Sequence, residues 1–169
     1  MARDKIFEDK KIQKSLLNLK YLAYIFLIIA AIAGFVLTTT FGYKLYRDKQ
    51  MELIQYILWE LIFYVTTFMI MWGIVDVLKL LKNLRNGNIF TFENSNIIKN
   101  IDKKLVFTLF FSIISNIIML LLNYHYYPLL IIWFVYISFI LAAHILVRPL
   151  SLLVEKSAEM QLEMDLTIW

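Results

Sequence analysis

The sequence predicts an all-α polytopic membrane protein: a four-transmembrane-helix bundle with a cytoplasmic helical hairpin extension, in a single membrane domain over residues 1–169. Three observations predict it. First, 61% of the residues are apolar and 18% charged, with a mean hydropathy of +0.70. A soluble domain is about 45–50% apolar and about 25% charged, and one core cannot hide the excess, since roughly 30% of the unfolded surface stays exposed at this size. Second, the excess falls into four runs close to the ~20 residues that carry a helix across ~30 Å of hydrocarbon. None of them alternates as a β-barrel strand does. Third, Lys and Arg collect in alternate connections between the runs.

The composition also sets limits. Two Pro and four Gly argue against a loop-rich or low-complexity chain. The absence of Cys removes disulfides, thiol catalysis, Fe–S clusters and Cys-based zinc sites. No repeat with a period of 20–50 residues is visible.

Residues 1–21 form a basic arm carrying Arg3, Lys5, Lys10, Lys11, Lys14 and Lys20. The arm is too charged, and the apolar run after it too long, for a cleavable signal peptide. The first span, 22–41, has no charge; the second, 54–75, has Glu60 alone. The third, 105–122, is interrupted by Asn116 and small hydroxyls, and the fourth, 128–147, has His144 near its end. Connection 76–104 carries Lys79, Lys82, Arg85, Lys99, Lys103 and Lys104, and tail 148–169 carries Arg148 and Lys156. The first loop has only Lys44, Arg47 and Lys49, and residues 123–127 have no Lys or Arg. The positive-inside rule then puts both termini and the middle connection in the cytoplasm. Tyr43, Tyr46, Tyr56 and Trp59 at one outer edge, and Tyr124, Tyr126 and Tyr127 at the other, suit headgroup anchors. A ligand-binding aromatic cage is the alternative.

Span two continues as a helix past the membrane, with Leu78, Leu81 and Leu84 on one face and Lys79, Lys82 and Arg85 on another. Gly87 suits a left-handed C-terminal cap. Thr91 suits an N-cap, and Glu93 in the first turn complements the helix dipole. Asn94 stands where a full capping box takes Glu or Gln. Ile97, Ile98 and Ile101 mark the apolar face that enters span three. The product is a hairpin over 76–104 with Ile89, Phe90 and Phe92 at its tip.

The Gly-x-x-Phe-Thr-x-Glu-Asn core of this hairpin (Gly87, Phe90, Thr91, Glu93, Asn94) and the terminal Asp165-Leu166-Thr167-Ile168 resemble a bacterial family of small four-span membrane proteins of unknown function. Ile89 stands where that family more often has proline, and Trp169 extends past its usual end. Genes of the family often lie beside a small helix-turn-helix regulator of the Cro/C1 type. The resemblance therefore implies a bacterial cytoplasmic membrane protein with a regulatory protein partner, and it transfers no catalytic residue.

After span four, Arg148-Pro149 should kink or end the helix, because proline lacks an amide hydrogen and clashes with the preceding turn. Leu150, Leu153, Val154, Ser157, Met160, Gln161 and Met164 then recur at helical spacing. Glu155, Glu159 and Glu163 line another face. Anionic lipid repels an acidic face, so this helix leaves the surface or packs its apolar stripe on protein, the basic hairpin included. A solvated acidic face is the plain reading. A docking face for a basic cytoplasmic protein, such as a DNA-binding regulator, is the sharper one.

Within the membrane, Glu60 is the main candidate, since a carboxylate in hydrocarbon is costly and usually faces a bundle interior or cavity. Glu60 and Asn116 each lie about 9 Å from the outer ends of their spans. Together with Ser115 and Ser112 of span three and Thr38 and Thr39 of span one, they would form a ligand pocket open to the outside. Interhelical glue is the competing account. His144, about 24 Å below the outer end, lies near Asp76 and Arg148, and these three are expected to form an inner-edge polar cluster. His125 has no visible metal partner.

No His pair at metal spacing, phosphate loop or Ser/His/Asp pattern is present, so neither enzymatic activity nor a cofactor or metal is expected. The expected partners are the lipid bilayer, a basic cytoplasmic regulator, touched through Phe90, Phe92, Glu155, Glu159 and Glu163, and further copies of the chain. Direct nucleic-acid binding is not expected. Two functions fit: a sensor or regulatory partner of a helix-turn-helix protein, or an immunity or envelope-defence protein against a membrane-active peptide.

Overall fold

The computed structural model describes residues 10–86, 89–124 and 126–167. Residues 1–9 of the basic arm, Gly87, Asn88, His125, Ile168 and Trp169, and the side chains of Lys10, Lys11, Ile12, Asp165, Leu166 and Thr167, lie outside the described residues. All described elements are helical. Helix α1 (Lys10–Ala31), a π-helical segment (Ile32–Leu37) and α2 (Thr38–Arg47) follow one another without a break as a single rod. Then come α3 (Leu53–Arg85), α4 (Phe92–Leu121) and α5 (Tyr127–Thr167). The first rod and these three helices are each long and apolar enough to cross a membrane.

The helices outrun the bilayer. At 1.5 Å per residue, the 33 residues of α3 span about 50 Å and the 41 of α5 about 60 Å, against ~30 Å of hydrocarbon. The surplus gathers at the hairpin end, around residues 86–91. Here Thr91 accepts a 3.2 Å hydrogen bond from the Asn94 amide and caps α4 as the sequence predicts.

The opposite end holds the two loops at 48–52 and 122–126, and both helices that enter them finish alike. Lys49 (φ 56°) and Asn123 (φ 58°) are left-handed. The next amide in each case reaches back five residues, Gln50 to the Leu45 carbonyl and Tyr124 to that of Met119, both at 2.9 Å. This is a Schellman closure made without glycine. The Tyr124 carbonyl also accepts from Gln55 Nε2 (2.9 Å) and Trp59 Nε1 (3.1 Å), and Tyr126 Oη donates to Gln50 Oε1 (3.0 Å). The loops are thereby tied together over a core of Leu45, Met51, Trp59, Ile62, Met119, Leu129 and Trp133. Trp59, expected among the headgroup anchors, is 3% exposed and belongs to this core. Its indole N–H is served by a carbonyl rather than by the interface.

Helix α4 packs along both α3 and α5, whereas the first rod packs on α3. The rod approaches through Ala30, Gly34, Thr38 and Gly42, a small residue every fourth position, which lets backbones come close. A Cβ on Gly34 would lie 1.9 Å from Thr67 Oγ1, and one on Gly42 2.7 Å from Glu60 Oε1. The π segment surrounds Gly34, and π segments leave carbonyls without the usual i+4 partner. The next three residues supply donors: Thr38 donates to the Gly34 carbonyl, Thr39 to Phe35 (2.5 Å) and Thr40 to Val36 (2.7 Å).

The tail differs from its expected course. Pro149 lies inside α5, which runs unbroken to Thr167. One missing amide removes one rung, and cross-links from α4 on both sides of Pro149 bridge the gap: Asp102 holds His144 and Lys99 holds Glu155. The buried face of the tail is Ser151, Val154 and Ala158. Leu150, Leu153, Met160 and Met164, expected on the packed stripe, point outward. Small residues win that face because Ser95 of α4 comes close enough to donate to the Ser151 carbonyl at 3.3 Å.

Candidate functional site

Glu60 sits seven residues into α3, buried at 8% exposure and facing Gly42 of the rod. Thr39 Oγ1 lies 3.3 Å from Glu60 Oε2, 2.6 Å from the Tyr64 hydroxyl and 2.5 Å from the Phe35 carbonyl. A threonine hydroxyl has one proton to donate, and its closest acceptor is the carbonyl, so the carboxylate is weakly served. No Lys, Arg or His lies within ion-pair distance of Glu60 among the described residues.

A cavity of about 330 Å³ opens beside this carboxylate, between the rod, α3 and the start of α5. Thr38, Gly42, Phe63 and Ile132 line it along with Glu60. A second cavity of about 270 Å³ shares Thr38, Phe63 and Ile132 with the first and continues along α3 to Thr67 and Ile70, with Tyr136 of α5 on its far wall. Together they form a groove between the rod and α5, floored by α3.

Of the six residues expected to share a pocket, Glu60 and Thr38 line the first cavity and Thr39 reaches the Glu60 carboxylate. Asn116 and Ser115 line neither cavity. Asn116 Nδ2 donates to the Ser112 carbonyl of its own helix at 2.9 Å, while its Oδ1 and Ser112 Oγ are buried without a partner. A residue count puts Glu60 and Asn116 at one depth, but depth says nothing of azimuth. Glu60 faces the rod, and α4 lies on other faces of α3. Thr39, Tyr64 and Gly42 complete the Glu60 site. Gly42 and Thr38 carry a sequence signal in the four-residue spacing of small residues.

The expected inner-edge cluster resolves into two pairs. Asp76 of α3 binds Lys104 of α4 at 2.5 Å and Lys79 of its own helix at 3.3 Å. His144 of α5 meets Asp102 of α4, Nδ1 to Oδ1, at 2.6 Å. Arg148 is exposed and joins neither, while its carbonyl accepts from Ser151 Oγ at 2.8 Å. The correction has a helical cause: α4 runs between α3 and α5 and offers ionic partners to both. Lys99, Asp102 and Lys104 lie within two turns of it, and the last also stacks its ammonium 4.1 Å from the Trp72 ring centre.

At the hairpin end, Asn94 is fully buried (0% exposed). It accepts from Asn83 Nδ2 at 3.0 Å and donates to the Ile89 carbonyl at 2.9 Å, clasping the end of α3 to the turn. Asn83 Nδ2 also reaches Glu93 at 3.0 Å. Lys99 of α4 binds Glu155 of α5 at 2.5 Å, so the basic hairpin and the acidic tail pack together. Phe90 and Phe92 are 39% and 44% exposed, and Glu159 and Glu163 also lie on the surface. Asn94 is singled out by the sequence as a capping position but not as a clasp to Asn83, and the Ser95–Ser151 contact carries no sequence signal.

Residues 45–168 match the model of a family described as "Protein of unknown function (DUF2975)". No curated protein and no solved structure matches the chain.

Proposed function

We propose that this chain, which belongs to the DUF2975 family of proteins of unknown function, is a non-enzymatic protein of the bacterial cytoplasmic membrane with both termini inside, and that it serves as a sensor or regulatory partner of a cytoplasmic helix-turn-helix regulator. The Lys and Arg bias toward 1–20, 76–104 and the tail supports the orientation. One observation carries the regulatory reading. Helices α3, α4 and α5 continue beyond the length a bilayer needs and are clasped into one platform by Asn94, Ser95–Ser151 and Lys99–Glu155. That platform leaves two aromatic rings, Phe90 and Phe92, in the open at its tip.

Aromatic anchors ringed by polar groups are the usual centre of a protein interface. A basic regulator would meet Glu159, while Glu155 is already engaged by Lys99. A signal favouring one arrangement of the bundle would shift the platform's affinity by its own differential affinity for the two states. Further copies of the chain would pack through the outward apolar faces.

The test is co-purification with a Cro/C1-type helix-turn-helix regulator co-expressed from the same genome. Phe90→Ala/Phe92→Ala and Glu159→Lys should each abolish or sharply weaken recovery while membrane insertion and melting temperature stay unchanged, because all three residues are exposed. Undiminished binding by both variants, or no binding by the parent chain, would sink the reading.

A further inference from the structure

The groove beside Glu60 has a chemical polarity of its own. At one end is a carboxylate, nine-tenths buried, without a cationic partner among the described residues and with one shared hydroxyl at 3.3 Å. A charge in such a place is tolerated when something pairs with it. Away from Glu60 the walls turn apolar, through Phe63 and Ile132 to Ile70. From Glu60 to Ile70 along α3 is about 15 Å, room for an extended alkyl chain, and each cavity is near the lower end of the ~300–1,000 Å³ typical of small-molecule sites. The rod and α5 leave the groove between them open.

We propose that this groove binds a single-chain amphiphile bearing an ammonium group. The ammonium pairs with the Glu60 carboxylate, and the chain lies along α3 past Ile132. The buried lone carboxylate selects a cation over an alcohol or an acid of equal length, because an acid would bring like charges together and an alcohol would leave the charge unbalanced. The site lies toward the loop end of α3, away from the hairpin platform, so it stands or falls independently of the regulator reading.

Tryptophan quenching reports on it, because Trp59 lines the first cavity and Trp133 the second. The full chain carrying Trp72→Phe and Trp169→Phe, in non-ionic maltoside micelles, is titrated with a long-chain primary alkylamine bearing a nitroxide on its chain. The alcohol and carboxylic acid of the same length serve as comparators. Saturable quenching is expected for the amine alone. Glu60→Gln should weaken it by about tenfold or more, as loss of one partner of a buried charge pair does. Ile132→Phe, which narrows the groove and keeps the carboxylate, should weaken it comparably and carries the test if the Gln variant does not fold. Added lysophosphatidylethanolamine, which keeps one chain, would by competing identify the bilayer's aminolipids as the source of the ammonium; its failure to compete would assign the site to free amines. Equal quenching by all three probes, or amine binding indifferent to both variants, overturns the proposal.

Discussion

Lys104 Nζ of α4 lies 2.5 Å from Asp76 Oδ2 of α3, and its ammonium rests 4.1 Å from the centre of the Trp72 ring. The Asp76 side chain is 9% exposed and that of Lys104 19%, so solvent does little to screen the pair. Removing Lys104 leaves the buried carboxylate only the exposed Lys79 among the described residues, at 3.3 Å, at a cost of up to about 3 kcal/mol, the low end for a broken buried pair. Lys104→Met should therefore lower stability by about that amount in thermal unfolding of the micellar protein. Lys104→Met combined with Asp76→Asn should recover much of the loss, because the orphaned charge is gone.

Asn94 is the clasp of the hairpin. Asn94→Ala removes the bonds to Asn83 and the Ile89 carbonyl and leaves buried polar groups unsatisfied, for about 2 kcal/mol. Hydrogen exchange should quicken across residues 83–98 first. Unchanged exchange there would mean that the turn is held by its backbone alone.

Gly34 sets how closely the rod meets α3. A Cβ would fall 1.9 Å from Thr67 Oγ1 and 2.6 Å from Thr67 Cβ, so Gly34→Ala must push the rod outward, at about 1–3 kcal/mol for an overpacked contact. Thr67→Gly added to it should restore stability, since it removes all three clashing side-chain atoms. Melting temperatures of the single and double variants check this.

Pro149 interrupts the ladder of a helix that continues regardless. Pro149→Ala returns one amide and removes the ring clash, and should stabilise α5 by up to about 3 kcal/mol. The sign is the discriminating result: destabilisation would mean that the backbone geometry proline imposes is what seats Ser151, Val154 and Ala158 on α4.

Charge reversal at Lys99–Glu155 tests how the tail is docked. Both side chains are about a third exposed, so the pair contributes about 1 kcal/mol or less. Lys99→Glu should raise protease cleavage in the tail after Leu150, and Glu155→Lys in the same chain should bring it back down.

Much of the architecture was legible because bilayer physics writes on composition. Four runs of about twenty apolar residues admit few other folds, and Thr91 announces the start of α4 through the chemistry of its hydroxyl. That the helix continues past Pro149 rather than ending there was not legible, because proline's local penalty is a few kcal/mol at most, and the contacts that offset it at Ser95, Lys99 and Asp102 lie 42–56 residues away in sequence. Glu60 stood out as the lone charge of its span, yet its companions could not be read off. A depth count fixes height along a helix and leaves rotation free.

The sequence by itself determined that this chain forms four apolar helices, where they begin and end to within a few turns, and that a polar hairpin links the middle two. Local forces suffice for that: backbone groups in hydrocarbon must bond within their own helix, and caps act over three or four residues. Only the tertiary structure decided which polar groups meet. Glu60 turns to Thr39 and Gly42 of the rod, Asp76 to Lys104, and His144 to Asp102, because small residues at Gly34 and Gly42 and the central position of α4 set the rotation of each helix against its neighbours. Those rotations are properties of packed pairs and belong to no single segment of the chain.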